Sequence, residues 1–139
     1  MQNRRTFIKN SCAACIGMSA FGILLESCVT SQNVTKSTLK NNQIEVPISN
    51  FQTNNYTIIR NKNLPYDILL VKQNEEYKAL QMRCTHNEVA LSFTGKKLIC
   101  SAHGSEFDTN GNVTKEPAQK SLSTYKTSLE NQNIIIHLK

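Results

Sequence analysis

Four residues concentrate the reactive side chains of this sequence: Cys84 and His86 in "CTH", and Cys100 and His103 in "CSAH". From residue 43 onward there are two cysteines and three histidines, and all but His137 fall in these two clusters, with thirteen residues between them. A Cys84 to Cys100 disulfide suits an oxidising compartment but leaves both histidines without a task. Two thiolates and two imidazoles make a sensible donor set for a structural zinc, although a Cys2His2 site usually supplies its cysteines first and its histidines later. One cysteine and one histidine on each of two loops also suits a pair of unlike irons. Converging loops could give both thiolates to one metal and both imidazoles to the other. A nucleophilic Cys/His pair has less behind it, because no third member is indicated by spacing.

The elements that must position these residues read as β-strands. From Gln43 the chain shows short alternating stretches with turn signals between them, and no segment sustains a 3.6-residue period. "IEVPIS" alternates Ile44, Val46 and Ile48 with polar positions, and Pro47 predicts an edge strand. "YTIIR" follows; "YDILLVKQ" and "YKALQM", separated by "NEE", predict a hairpin. "KKLIC" is a short strand running into Cys100. "NIIIHLK" is a last strand with Ile134, Ile136 and Leu138 on one face and Ile135, His137 and Lys139 on the other. Asn110-Gly111 marks a tight turn, because such turns require positive φ. The expected fold class is all-β, as one domain over residues 43–139. His137, sharing a face with Lys139, reads as a surface histidine and not a fifth ligand.

The clusters and their flanks resemble the Rieske [2Fe-2S] family, in which two histidines replace two cysteines on one iron. The resemblance is carried by "CTH" followed by Leu91, Gly95 before a strand, "CSAHGSEFD", Gly111, "EPA" at 116–118, and Leu122 with Tyr125. It implies an antiparallel β-sandwich of short strands with a cluster-binding subdomain made of two loops, and one [2Fe-2S] cluster per chain. Cys84 and Cys100 would then hold the buried iron, and His86 and His103 the outer iron near the surface. Gly104 would let the backbone come close, Ser105 would donate its hydroxyl to a bridging sulfide, and Pro117 matches the proline of a shielding loop. Two departures stand out. High-potential members carry an extra cysteine in each loop, where this chain has Val89 and Ala102, so the loop disulfide is missing. They also carry a tyrosine two residues after the serine, where this chain has Phe107. Neutral imidazoles in place of two thiolates make the cluster easier to reduce, giving the family about −150 to +300 mV. With one hydrogen-bond donor absent, this chain is expected in the low to middle part of that range.

The first 27 residues read as an export signal: "NRRTFIK", an apolar stretch from about Cys12 to Leu25, then "LLESC". Arg4-Arg5 with Phe7-Ile8-Lys9 resembles a twin-arginine signal, whose pathway carries folded proteins. "LESC" resembles a lipobox that would place a lipid on Cys28; a retained membrane anchor is the other reading. Residues 28–42, polar and without an apolar face, read as a lipidated cysteine and a flexible tether. The net charge of +6 falls to +4 once residues 1–27 are set aside. That mild excess, without a basic run or interleaved aromatics, argues against nucleic acid.

These readings lead to an exported electron-transfer protein of the cell envelope or periplasm, anchored to a membrane by lipid and without substrate chemistry of its own. Its partner would be a quinol-oxidising complex, a c-type cytochrome or a molybdenum enzyme. The competing expectation is a structural or binding envelope lipoprotein with zinc or a disulfide at the Cys/His site.

Overall fold

A computed structural model of the chain describes residues 32–138, and the export signal and Cys28 lie outside them. Twelve strands and one 3₁₀ turn (Ile48–Phe51) make up the described residues: β1 (Val34–Lys36), β2 (Leu39–Lys40), β3 (Gln43–Pro47), β4 (Tyr56–Arg60), β5 (Ile68–Gln73), β6 (Glu76–Gln81), β7 (Leu91–Phe93), β8 (Leu98–Cys100), β9 (Glu106–Phe107), β10 (Val113–Lys115), β11 (Thr124–Glu130) and β12 (Asn133–His137). Eight pair in the order β1-β4-β5-β6-β11-β12-β3-β2, and the other four in the order β10-β9-β8-β7. Every pairing is antiparallel except that of β1 with β4. Among the described residues no helix is long and apolar enough to cross a membrane.

The burial of "ILLV" at Ile68–Val71 explains the architecture. All four side chains are buried, and they alternate between two cores. Ile68 and Leu70 join Ile59 and Ala79 with Ile44, Val46, Ile134 and Ile136, residues from the opposite half of the sheet order, so the large sheet curls over its own core. Leu69 and Val71 join Ile58 and Leu80 against Leu91, Phe93, Leu98 and Phe107 of the small sheet. A strand covered on both faces has no solvent side on which to place polar residues, hence the unbroken apolar run. The result is all-β, with a separate small sheet carrying the Cys/His loops.

Several sequence expectations change in detail. Residues 34–40 are not a free tether: Val34–Lys36 pairs with Ile58–Arg60, and Leu39 and Lys40 pair with Ile44 and Gln43. Composition hid these strands because they are edge strands with few inward side chains. β3 is therefore covered over its first residues and open only near Pro47. There the Ile48 amide donates to Gln132 O on the β12 side, so the nitrogen of Pro47 faces the uncovered side. The Asn110-Gly111 signal marks a wider connection, residues 108–112, between β9 and β10. In it the Asp108 carboxylate accepts from the Asn110 and Asn112 amides, both at 2.8 Å, and Gly111 adopts φ 83°. Ile135 is buried on the outward face of β12, while His137 is bonded through Nδ1 to Gln43 and through Nε2 to Ser128.

Candidate metal centre

The β7–β8 hairpin fixes where both clusters lie. One loop (residues 83–90) enters β7 and the other (101–105) leaves β8. Because the strands are antiparallel with Leu91 opposite Cys100, both loops emerge at the same end. The first loop is closed at its base by the Arg83 to Ala90 bridge and by Leu91 N–H donating to Met82 O at 3.0 Å.

Each loop folds in the same way. Glu88 N–H donates to Cys84 O at 2.9 Å and Cys84 N–H to Val89 O at 2.8 Å. Gly104 N–H donates to Cys100 O at 3.0 Å and Cys100 N–H to Ser105 O at 2.9 Å. The residue four after each cysteine has positive φ: 53° at Glu88 and 78° at Gly104. Glycine takes that conformation without penalty, whereas an ordinary side chain is strained in it by about 1–2 kcal/mol. A Cβ on Gly104 would meet no protein atom within 4 Å, so within the chain its φ is what calls for glycine.

This shared turn buries both cysteines completely and leaves both thiols free, while His86 and His103 stay exposed with ring centroids 5.0 Å apart and planes at 87°. Burial pushes the Cys84 thiol up, but the backbone amides of Asn87 and His86, the Cys100 thiol and the Ser105 hydroxyl outweigh it, leaving Cys84 below its ordinary range. Ser105 is fully buried, and its oxygen already accepts the Ala118 N–H at 3.0 Å, so its own proton remains to be given.

A third segment, residues 116–122 around Pro117, ties the loops together. Ala118 reaches Ser105 on one side, and Thr85 Oγ1 donates to Lys120 O at 2.6 Å on the other. Tyr66 donates from its hydroxyl to Glu88 O at 2.5 Å, and Arg83 packs over the Tyr66 ring while pairing with Glu88. Val89 is half-buried against the core and Ala102 is exposed, and hydrogen bonds to the shared third segment connect the loops. Sequence reasoning missed Tyr66, Thr85 and Glu88. Only Glu88 left a trace, at the same offset from its cysteine as Gly104.

The donor set fits a [2Fe-2S] cluster of mixed ligation. Two thiols are shielded from water, two imidazoles lie close together at the surface, and a buried hydroxyl turns its proton toward the Cys84 sulfur. Among the described residues no three His, Cys, Asp or Glu side chains converge on one ion position; a two-iron cluster needs only two protein ligands per iron.

The "Rieske [2Fe-2S] domain" family model matches residues 41–126, more than half of the sequence, and the chain belongs to that family, whose domain binds a [2Fe-2S] cluster. Its relatives include the cytochrome b6-f complex iron-sulfur subunits of Synechococcus sp. (strain CC9605) and Prochlorococcus marinus (strain AS9601). Each is 34% identical over 55 residues, which is 38% of this chain and 31% of the relative. The match thus spans about a third of the length of those proteins. Among solved structures, the cyanobacterial plasma membrane Rieske protein PetC3 from Synechocystis PCC 6803 aligns with a TM-score of 0.54 and 26% identity, covering 65% of this chain and 93% of that one. A structure of the oxygenase and ferredoxin complex of carbazole 1,9a-dioxygenase aligns with a TM-score of 0.53 at 14% identity, covering 70% of this chain and 94% of the matched chain, and shares the fold. Rieske-type electron transfer is the general function that follows.

Proposed function

We propose that the protein is a one-electron carrier of the bacterial envelope, exported by the twin-arginine route and anchored through a lipid on Cys28. Cys84 and Cys100 are its inner ligands, and His86 and His103 its outer ones. The observation that carries this reading is the contrast between two fully buried free thiols and two exposed imidazoles on loops of matched geometry. The cluster, when bound, accepts and gives up one electron.

The chain's own residues supply the rest. The small sheet and residues 116–122 exclude water from the thiol side. Ser105 offers its proton to sulfur, and the two histidine edges form the surface on which a partner can approach. A quinol-oxidising complex, a c-type cytochrome or a molybdenum enzyme fits that surface in kind. The N-terminal Arg4-Arg5 signal and "LESC" support envelope placement, since the twin-arginine route accepts proteins that already hold a cofactor.

Low-temperature EPR on the dithionite-reduced full chain tests the ligation. The expected result is a rhombic signal whose average g lies clearly below that of a four-cysteine cluster. Bound zinc, or a Cys84 to Cys100 disulfide in protein from cells that assemble clusters on a control ferredoxin, overturns the reading.

A further inference from the structure

The chain enters the domain at the end opposite the metal centre. Gln32 Nε2 donates to Phe93 O at 3.0 Å. Phe93 is the last residue of β7, whose first residue, Leu91, lies opposite Cys100. Gln32 therefore sits at one end of the β7–β8 hairpin and both Cys/His loops at the other. The large sheet gives the same answer by an independent path. Asn33 Nδ2 donates to Tyr56 O at 3.0 Å, at the start of β4. The register Ile59 to Ile68 to Gln81 puts the far end of β4 beside the end of β6 that leads into Cys84. The Tyr56 and Phe93 rings meet at 4.8 Å, which makes the two entry contacts a single pole.

The length of chain before that pole then limits orientation. Four residue steps separate Cys28 from Gln32, a reach of at most about 14 Å whatever conformation they take. To turn the histidine edge onto a bilayer, the entry pole must rise by the length of the domain. β4 alone, four steps from Tyr56 to Arg60, accounts for about 13 Å of that. The loop of residues 84–89 beyond the Arg83 to Ala90 bridge, which carries His86, adds to it, so the lift exceeds the reach. A domain lying on its side still directs the histidine edge along the bilayer and not into it.

We infer that the anchored domain holds its Phe93/Tyr56 pole toward the bilayer and presents His86 and His103 to the aqueous phase, so that its redox partner is a water-soluble one-electron protein and not a quinol at the bilayer surface. This rests on the reading that Cys28 carries the lipid. One electron passes between the reduced and oxidised proteins, and no bond is made or broken.

The test uses the full lipidated chain on vesicles containing nickel-chelating lipid, with nitroxide labels placed one at a time through Lys96→Cys, beside the entry pole, and Gln119→Cys, beside the metal centre. Flotation with the vesicles is checked first; failure to float defeats the lipid reading and this inference with it. For protein that floats, nickel-enhanced relaxation should be several-fold stronger at position 96 than at 119. A flexible Gly/Ser insertion of about twelve residues after Thr30, adding roughly 40 Å of contour, should bring the two labels toward equality. Equal or stronger relaxation at 119 in the parent overturns the orientation while leaving the lipid reading intact. With reduced protein on the vesicles and a soluble c-type cytochrome as oxidant, parent and insertion variant should react at similar rates. A gain of about tenfold or more on insertion shows that the parent's histidine edge was blocked, and overturns the partner assignment.

Discussion

Ser105 does two jobs with one hydroxyl: its oxygen accepts the buried Ala118 N–H, and its proton is left for sulfur. Ser105→Ala should therefore produce two separable effects. Losing a donor to sulfur lowers the midpoint potential, by roughly 40 mV for each 1 kcal/mol by which the bond favours the reduced state. Losing the acceptor leaves the Ala118 amide unpaired and lowers unfolding stability by about 1–3 kcal/mol. Redox titration and denaturant unfolding read the two terms independently, and an unchanged potential would assign Ser105 to structure alone. Phe107→Tyr is the converse experiment at a fully buried position. Restoring the donor that high-potential members use should raise the midpoint by about 40 mV or more. At this scale the ligand residues were legible because cysteine and histidine are rare here and their spacing is a property of the sequence. Thr85 and Tyr66 were not, since their partners lie 35 and 22 residues away and are main-chain carbonyls, which every residue carries.

The elements were legible where a side chain or a turn residue enforces them. Asn74, at φ 54°, makes the β5–β6 hairpin read correctly from "NEE", and the period-two burial of Ile44 and Val46 reveals β3. The connection 108–112 shows what the sequence signal left out. Gly111 is needed both for its φ of 83° and for space: an added Cβ would lie 3.0 Å from Leu80 Cδ2 and 3.4 Å from Leu122 Cβ. Leu80 is fully buried and cannot retreat into solvent. Gly111→Ala should accordingly destabilise by about 2–4 kcal/mol, the sum of left-handed strain and overpacking, measured as a fall in the denaturation midpoint at constant slope. A loss below about 0.5 kcal/mol would mean that the 108–112 connection yields, and that the contact with Leu80 is not a constraint.

At the scale of the whole molecule, the disagreement between sequence and structure concerns where the domain begins. Polar composition makes residues 29–42 read as a tether, and that reading expects a chain starting at residue 41 to be as stable as the complete domain. Besides the β1–β4 and β2–β3 ladders, the structure places seven hydrogen bonds in the removed segment. Ile58 N–H and Thr57 Oγ1 both donate to Asn33 O, at 2.8 and 3.2 Å; Thr35 Oγ1 bonds Thr57 Oγ1 at 2.9 Å and accepts from Asn50 Nδ2 at 3.1 Å; Asn33 bonds Tyr56, Gln32 bonds Phe93, and Ser37 O accepts from Asn61. Truncation should lower the melting temperature by roughly 5–10 °C, the effect of losing one or two net hydrogen bonds from a domain of this size. The same truncation opens the outer edge of β4, where Thr57 is fully buried beneath β1, and an unpaired strand edge invites association. Light scattering should then show self-association of the truncated chain at concentrations where the complete domain is monodisperse. Equal stability and equal dispersity would return residues 32–40 to the role of a free tether, and would lengthen the reach from Cys28 enough to remove the constraint on how the metal centre faces the membrane.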